Sequence, residues 1–442
     1  MRRTVAFPCA LAFAMAVVPS AFGFAGSFTP PIRTAFGQAE PWQFAVNSRG
    51  QAVAVRGLEV FPVDKKGHLG KPWEVKLPQA TYIFETSVTM DSGGRIALGI
   101  LYQDSTAPRI TGGKEGLPGC CLRAAVVTWR LGEKPPVAQS LSPPQDAASG
   151  EEHHALQAPL MVIGRKAVTA LWTVGSTRES EGYPELGEVE IEQAYGRFGS
   201  PLKSAEVSVA ADGLFSPHLS LEQDGDPVAS WLEDTNKLGL VTGSSTGKLA
   251  GDIRVQQVPE LSRPAGMTSN DEGDTVFAYF SRSSKTTSEL RYMNSHDAGP
   301  FGPPRGIGLT GSETPQGTVT AGGHHTLLAF WGSNGEEERG KFLSMSGAFG
   351  RSFKPPGNSE GFVDSDGRAV VVYDYDSPVA VTSDLGRPFT APQEIGARLR
   401  GFALGAERDD EPPLPTSPDG HAILYFSRDE TESEQYLVRY TP

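Results

Sequence analysis

Thr382-Ser383-Asp384-Leu385-Gly386-Arg387-Pro388-Phe389 reads as a polar hairpin tip followed by an aromatic, with a prolyl continuation, Thr390-Ala391-Pro392. Degenerate copies recur along the chain. Lys66-Gly67-His68-Leu69-Gly70-Lys71-Pro72-Trp73 and Ser346-Gly347-Ala348-Phe349-Gly350-Arg351-Ser352-Phe353 keep the Gly-x-x-aromatic spacing. Ser295-His296-Asp297-Ala298-Gly299-Pro300-Phe301 and Ala194-Tyr195-Gly196-Arg197-Phe198 keep it one residue shorter. Self-similarity at a fixed period is the mark of a repeat architecture.

Upstream of each turn lies an apolar run that begins after a tight turn. Eight such runs align: 50–55, 95–102, 166–172, 225–231, 273–279, 326–331, 367–373 and 420–425. Most follow a turn such as Asn-Ser-Arg-Gly, Asp-Ser-Gly-Gly, Gln-Asp-Gly or Ser-Asp-Gly, whose Gly supplies the positive φ a tight hairpin needs. β-branched and aromatic residues then fill a strand. Each unit therefore reads as strand, tight turn, apolar strand, variable loop, strand, Gly-x-x-aromatic turn, strand. Four antiparallel strands repeated about every fifty residues describe the blades of an all-β propeller. Eight blades are expected, with seven as the alternative; the first unit is the weakest, because its apolar strand lacks the aromatic. The last unit runs out after three strands, and Gly26-Ser27-Phe28-Thr29-Pro30-Pro31 matches the missing end of a repeat. An N-terminal strand completing the last blade would remove the open edges of the ring.

The turn Thr382-x-Asp384-x-Gly386-x-x-Phe389 resembles the Asp-box of sialidase-like (BNR-repeat) propellers, here of a secreted, bacterial type. The resemblance implies a structural role for Thr382, Asp384, Gly386 and Phe389, between third and fourth strands and on the face away from the functional one. It covers the mature chain as architecture, with one complete box.

The chain has 442 residues, 51 Gly, 35 Pro and 21% charged residues, the composition of a turn-rich structured protein. A net charge of −13 argues against nucleic acid, whose binding needs clustered Lys and Arg. Met1-Arg2-Arg3, an apolar run from Val5 to Val18 and Ala21-Phe22-Gly23 make a secretory signal over 1–23, leaving 24–442 as one propeller domain. No later stretch is long enough to span a bilayer. The expectation is a secreted monomer without a cofactor. Cys120 and Cys121, the mature cysteines, admit a vicinal disulfide or two free thiols.

Insertions at 103–122, 144–158, 175–187 and 404–416 are expected as loops on one face, the place where function concentrates on a rigid scaffold. That face should also carry the residues after each apolar strand: Asp104, Glu179, Glu233, Asp234, Arg282, Asp374, Asp376, Arg428 and Asp429. Mixed carboxylates and guanidiniums there suit a carbohydrate or a protein ligand, and equally a solvated rim. A sialidase-like hydrolase, the alternative, implies three arginines gripping a carboxylate and a Tyr–Glu nucleophile pair. The nearest arginine string, Ala107-Pro108-Arg109-Ile110, sits in the wrong element, and Tyr373 and Tyr375 have no assignable Glu. No catalytic residue is assigned. His153-His154 and His324-His325 are histidine pairs, but adjacent residues on a strand point to opposite sides, so no metal is expected. His153 and His154 read as loop residues and His325 as structural. Trp172, Trp231 and Trp331 recur at matching places and are expected in the core between blades.

Overall fold

The computed structural model describes residues 27–34, 42–104, 122–141, 152–180, 183–210, 215–233, 236–284, 286–311, 315–333, 338–347, 350–355, 359–364, 366–373, 379–395, 421–427 and 435–442. Every regular element among them is a strand, and these form eight antiparallel sheets. In the last sheet, β1 (Ser27–Phe28) and β2 (Ile32–Thr34) pair with β33 (Gln435–Thr441), which pairs with β32 (Ala422–Ser427). Blade 1 is β3 (Gln43–Val46), β4 (Ala52–Arg56), β5 (Glu59–Val63) and β6 (Trp73–Glu74). Blade 2 is β7 (Ala80–Met90), β8 (Arg95–Asp104), β9 (Leu122–Arg130) and β10 (Gln139–Ser140). Blade 3 has five strands: β11 (Glu152–Ala155), β12 (Leu160–Ile163), β13 (Val168–Ser180), β14 (Tyr183–Gly196) and β15 (Lys203–Ala210).

Blade 4 is β16 (Phe215–Leu221), β17 (Pro227–Glu233), β18 (Lys237–Thr242) and β19 (Arg254–Gln257). Blade 5 is β20 (Leu261–Ser269), β21 (Asp274–Arg282), β22 (Ser288–His296) and β23 (Arg305–Thr310). Blade 6 is β24 (Pro315–Gly322), β25 (Thr326–Ser333), β26 (Arg339–Ser344) and β27 (Arg351–Phe353). Blade 7 is β28 (Ser359–Val363), β29 (Arg368–Tyr373), β30 (Val379–Asp384) and β31 (Gln393–Glu394). The expected eight-bladed propeller is the observed fold, and the weak first unit is a complete four-stranded blade. Among the described residues no helix is long and apolar enough to cross a membrane.

The first hairpins of blades 1, 2, 5 and 7 are built by one repeated device. A side-chain oxygen at the end of the first strand accepts the backbone N–H four residues on: Asn47 from Gln51 at 2.9 Å, Asp91 from Arg95 at 2.8 Å, Asn270 from Asp274 at 2.9 Å and Asp364 from Arg368 at 2.8 Å. Gly at the intervening position takes the left-handed conformation, as at Gly50 (φ 66°) and Gly367 (φ 70°). Spare groups of these turns reach the next blade. Asn47 Nδ2 donates to the Asp91 carbonyl (3.0 Å), Arg95 to that of Gly164 (2.8 Å) and Asn270 to that of Gly322 (2.8 Å).

The core lies between blades. Eight apolar clusters each combine residues of two neighbouring blades, as when Trp172 of blade 3 joins Leu101 of blade 2. One of them sets Ile423 and Leu437 of the last blade against Val46, Ala54 and Phe61 of the first, so the ring is closed. Trp172, Trp231 and Trp331 are all buried in such interfaces, as their recurrence implied. At the seam, Arg439 of β33 is buried and its guanidinium donates to the Gly50 and Asp64 carbonyls of blade 1. Thr29 N–H donates to the Arg439 carbonyl and Arg439 N–H to the Thr29 hydroxyl, and Tyr440 packs between Phe28 of the N-terminal strand (5.0 Å) and Phe362 of blade 7 (5.3 Å).

The turn that opened the sequence reading joins β30 to β31. Gly386 has φ 77°, Arg387 N–H donates to the Asp384 carbonyl (3.0 Å), and the Ser383 hydroxyl to the Arg387 carbonyl (2.8 Å). Thr390 closes the hairpin back onto buried Thr382, and Phe389 packs on Phe353 of blade 6 at 4.4 Å. Asp364-Ser365-Asp366-Gly367, which resembles the start of a calcium loop, is the first hairpin turn of blade 7.

Candidate functional site

Up-and-down blades sort their connections by face. Turns joining strands one to two and three to four share one face; those joining strands two to three, and successive blades, share the other. Asp104, Glu233 and Arg282 end β8, β17 and β21, and so share that second face in blades 2, 4 and 5. Asp104 pairs with Arg123 at 3.5 Å, its side chain 10% exposed, so its carboxylate is engaged within blade 2. Glu233 is half-buried opposite Lys237, and Arg282 is exposed. Asp234, Asp374, Asp376, Arg428, Asp429, Cys120, Cys121 and the 404–416 insertion lie outside the described residues.

Two insertions expected as loops are strand. β13 and β14 continue their pairing from Gly175–Val189 out to Ser180–Tyr183, and β11 adds to the same side as β12, with Glu152 to Ala155 opposite Thr177 to Val174. Glu179, His153 and His154 therefore lie in a ribbon and not in loops. The run Gly175-Ser176-Thr177-Arg178-Glu179-Ser180 has no apolar alternation to announce a strand. The base of the ribbon is tied to blade 2: Ala158 N–H donates to Glu85 Oε2 at 2.9 Å, and the Ser87 hydroxyl bonds the Pro159 carbonyl.

Beside that anchor, at the same end of the innermost strand β7, Tyr82 and Phe84 stand 59% and 40% exposed, their rings 4.8 Å apart and edge to face. β7 is irregular here, with register shifts between Ala80 and Tyr82 and between Ile83 and Glu85 that leave Thr81 and Phe84 as extra residues against β8. β-bulges re-aim side chains and gather beside functional sites. Inner strand β20 of blade 5 is bulged at the same end, between Leu261 and Arg263 and between Pro264 and Gly266. Sequence reasoning passed over Tyr82 and Phe84, since an aromatic run in a strand reads as core and exposure leaves no mark in it.

Two carboxyls are held unusually basic. Burial pushes Glu338, at the entry to β26, up to about 7, although Ser359 donates to it. Burial, with Glu190 and Glu206 alongside, does the same to Glu192 on β14, also about 7. Tyr373, a nucleophile candidate on the hydrolase reading, is buried, and burial raises its hydroxyl pKa.

The opposite face holds a second constellation, between blades 5 and 6. Asp274, the first residue of β21, has a carboxylate 3% exposed; its Oδ1 lies 3.0 Å from His296 Nδ1 and its Oδ2 2.7 Å from His325 Nδ1. Asn270 Nδ2 also donates to Oδ2, at 2.8 Å. The imidazoles, about half exposed, meet edge to face with centroids 5.4 Å apart. Glu272 accepts the backbone N–H groups of His324 and His325, both at 3.0 Å, and Asp297 Oδ2 stands 3.4 Å from His296 Nε2. The Asp274 hydrogen bond, first, raises the His325 pKa. One donor atom from each of Asp274, His296 and His325 lies within 4.8 Å of the others. Only the His324-His325 pair had attracted notice in the sequence.

No known family's sequence profile matches the chain. No curated protein matches it either. Among solved structures it is similar to the β-propeller domain of the Trilobed protease from Pyrococcus furiosus, at 10% identity and a TM-score of 0.43, over 81% of this chain and 95% of that one. A puromycin hydrolase matches at 15% identity and a TM-score of 0.44, over 88% of this chain and 59% of that one. The NanB sialidase of Streptococcus pneumoniae matches at 10% identity and a TM-score of 0.35, over 85% and 71%. Likenesses this distant bear on no ligand and no reaction.

Proposed function

We propose that the protein is an exported, non-catalytic recognition propeller that takes a carbohydrate on the face carrying the blade 3 ribbon. One observation carries this reading: the exposed, mutually packed Tyr82 and Phe84 on a bulged inner strand, at the foot of that ribbon. Soluble proteins bury such rings unless something else covers them, and aromatic faces beside hydrogen-bonding groups suit the mixed apolar and hydroxylated surface of a sugar. Glu233 and Arg282, on the same face, supply polar contacts, joined on the sequence reading by Asp234, Asp374, Asp376, Arg428 and Asp429. The turn at Thr382, Asp384, Gly386 and Phe389 fits an Asp-box, so kinship with the sialidase-like propellers is part of the proposal. Export rests on the basic start and short apolar run of residues 1–23.

Hydrolysis of the sialidase type is the weaker reading. A tyrosine nucleophile needs a lowered pKa or an adjacent base, and burial moves Tyr373 the other way. The test is binding of the secreted protein to an immobilised glycan panel, alongside Tyr82→Ala/Phe84→Ala. Because both rings are exposed, the double variant folds, and its binding falls at least tenfold while its melting temperature holds. Glycan binding unchanged in the double variant, or binding to no glycan with capture of a protein partner instead, overturns the carbohydrate reading.

A further inference from the structure

The cluster on the opposite face is independent of the aromatic site, and its chemistry is different. We propose that Asp274, His296 and His325 bind one borderline divalent transition metal of the zinc type, with Asp297, Glu272 and Asn270 as supporting groups.

Three features of the geometry support it. The first is the donor set. Two imidazole nitrogens from two blades face one carboxylate, His325 Nδ1 at 2.7 Å from Asp274 Oδ2 and His296 Nδ1 at 3.0 Å from Oδ1. Ligands at about 2.0–2.2 Å from a tetrahedral zinc sit roughly 3.3–3.5 Å from one another, so loading requires these contacts to open by about 0.3–0.8 Å. Three protein ligands leave a fourth position for water or a small ligand.

The second is the conformation of His325. At the place before the second strand where blades 1, 2, 4, 5 and 7 use Gly50, Gly94, Gly225, Gly273 and Gly367, blade 6 uses His325 with φ 52°. An L side chain in the left-handed region costs about 1 kcal/mol or more over glycine. A residue that only had to turn the chain would be glycine; here the imidazole is kept, and Glu272 holds the turn by both N–H groups. Asp297 likewise sits at φ 45°.

The third is the surrounding shell. Ligation through Nδ1 requires the ring proton on Nε2, and the Asp297 carboxylate stands beside that nitrogen, its Oδ2 3.4 Å from His296 Nε2. A carboxylate behind a ligating histidine fixes its tautomer and raises its basicity. Asn270 Nδ2 orients the Asp274 carboxylate in the same way. The half-exposed imidazoles give the ion a path from solvent.

The test is calorimetric titration of the EDTA-stripped full chain with Zn2+, with Co2+ as the spectroscopic probe of coordination. The wild type takes up a single equivalent at this site, and the Co2+ spectrum shows low-symmetry nitrogen and oxygen ligation. His325→Asn preserves the fold, since asparagine tolerates the left-handed conformation; it and His296→Gln each weaken Zn2+ binding at least tenfold. Glu272→Gln weakens it about tenfold, the cost of a lost supporting group. His153→Ala/His154→Ala leaves it unchanged. Absence of a Zn2+ isotherm in the wild type, or one that survives His296→Gln and His325→Asn at full strength, overturns the assignment. Either result leaves glycan binding untouched.

Discussion

Replacing Arg439 with methionine opens the seam of the ring. Arg439 is 3% exposed on β33 of the last blade, and its guanidinium donates to two blade 1 carbonyls, those of Gly50 and Asp64. A hydrogen bond to a charged group contributes about 1.5–3 kcal/mol. Burying the cation returns part of that, and the same desolvation lowers the Arg439 pKa. Methionine keeps the aliphatic bulk that packs beside Gly67 but removes the guanidinium donor from the Gly50 carbonyl, and leaves the Asp64 carbonyl with the Gly67 N–H at 3.0 Å. The expected net loss is about 2–3 kcal/mol, from two bonds at the lower end of that range with a discount for desolvation. Urea unfolding measures it, with Arg387→Met, 61% exposed, as the surface control. Because β1 and β2 hold onto β33 beside this residue, amide hydrogen exchange over 27–34 should also accelerate. An Arg439→Met midpoint equal to the control, with unchanged exchange over 27–34, refutes the view that this side chain clamps the ring.

Glu192 gives a pH signature. Its folded pKa of about 7 lies above the ordinary value of 4.5, so its favourable contribution is complete below about 4.5 and is lost as pH rises through 7. At about 1.4 kcal/mol per pKa unit the gap is at most about 3 kcal/mol, which solvent at the edge of the group cuts to about 1–2 kcal/mol. Glu192→Gln should therefore be more stable than wild type at pH 8 and no more stable at pH 4.5; parallel pH profiles contradict this. Gly308→Ala places a Cβ 2.1 Å from Trp331 Cζ2 and should cost about 1–3 kcal/mol by overpacking, read from denaturation. Gly386→Ala meets no atom within 4 Å but must adopt φ 77°, so its loss should be about 1 kcal/mol, from the backbone alone. A larger cost at Gly386 than at Gly308 reverses the reasoning.

The architecture was legible because it is written in local chemistry repeated many times. The glycine before most second strands, the asparagine or aspartate that bridges several of the turns and the aromatic at the strand end act within a few residues, and each copy corroborates the others. Phe28 and Tyr440 meet from opposite ends of the chain, yet the Phe-x-Pro-Pro match to 353–356 announced their pairing. The ribbon of blade 3 was hidden, since residues 175–180 carry no apolar alternation to announce a strand. Tyr82 and Phe84 were hidden for the reverse reason: an aromatic run in a strand reads as core, yet on the bulged β7 both rings stand exposed. Asp274 bonds His296 and His325 across 22 and 51 residues. No short motif spans such distances, so the cluster exists only once the blades stand side by side.

The account stands or falls on recognition without turnover at the aromatic face. The direct measurement is to capture a glycan on the purified protein, hold it for hours, and determine its mass after elution. The account predicts that the glycan returns intact and that Tyr82→Ala/Phe84→Ala fails to retain it. Recovery of a cleaved product, lost when Glu233 is replaced by glutamine, would show that the face is an active site.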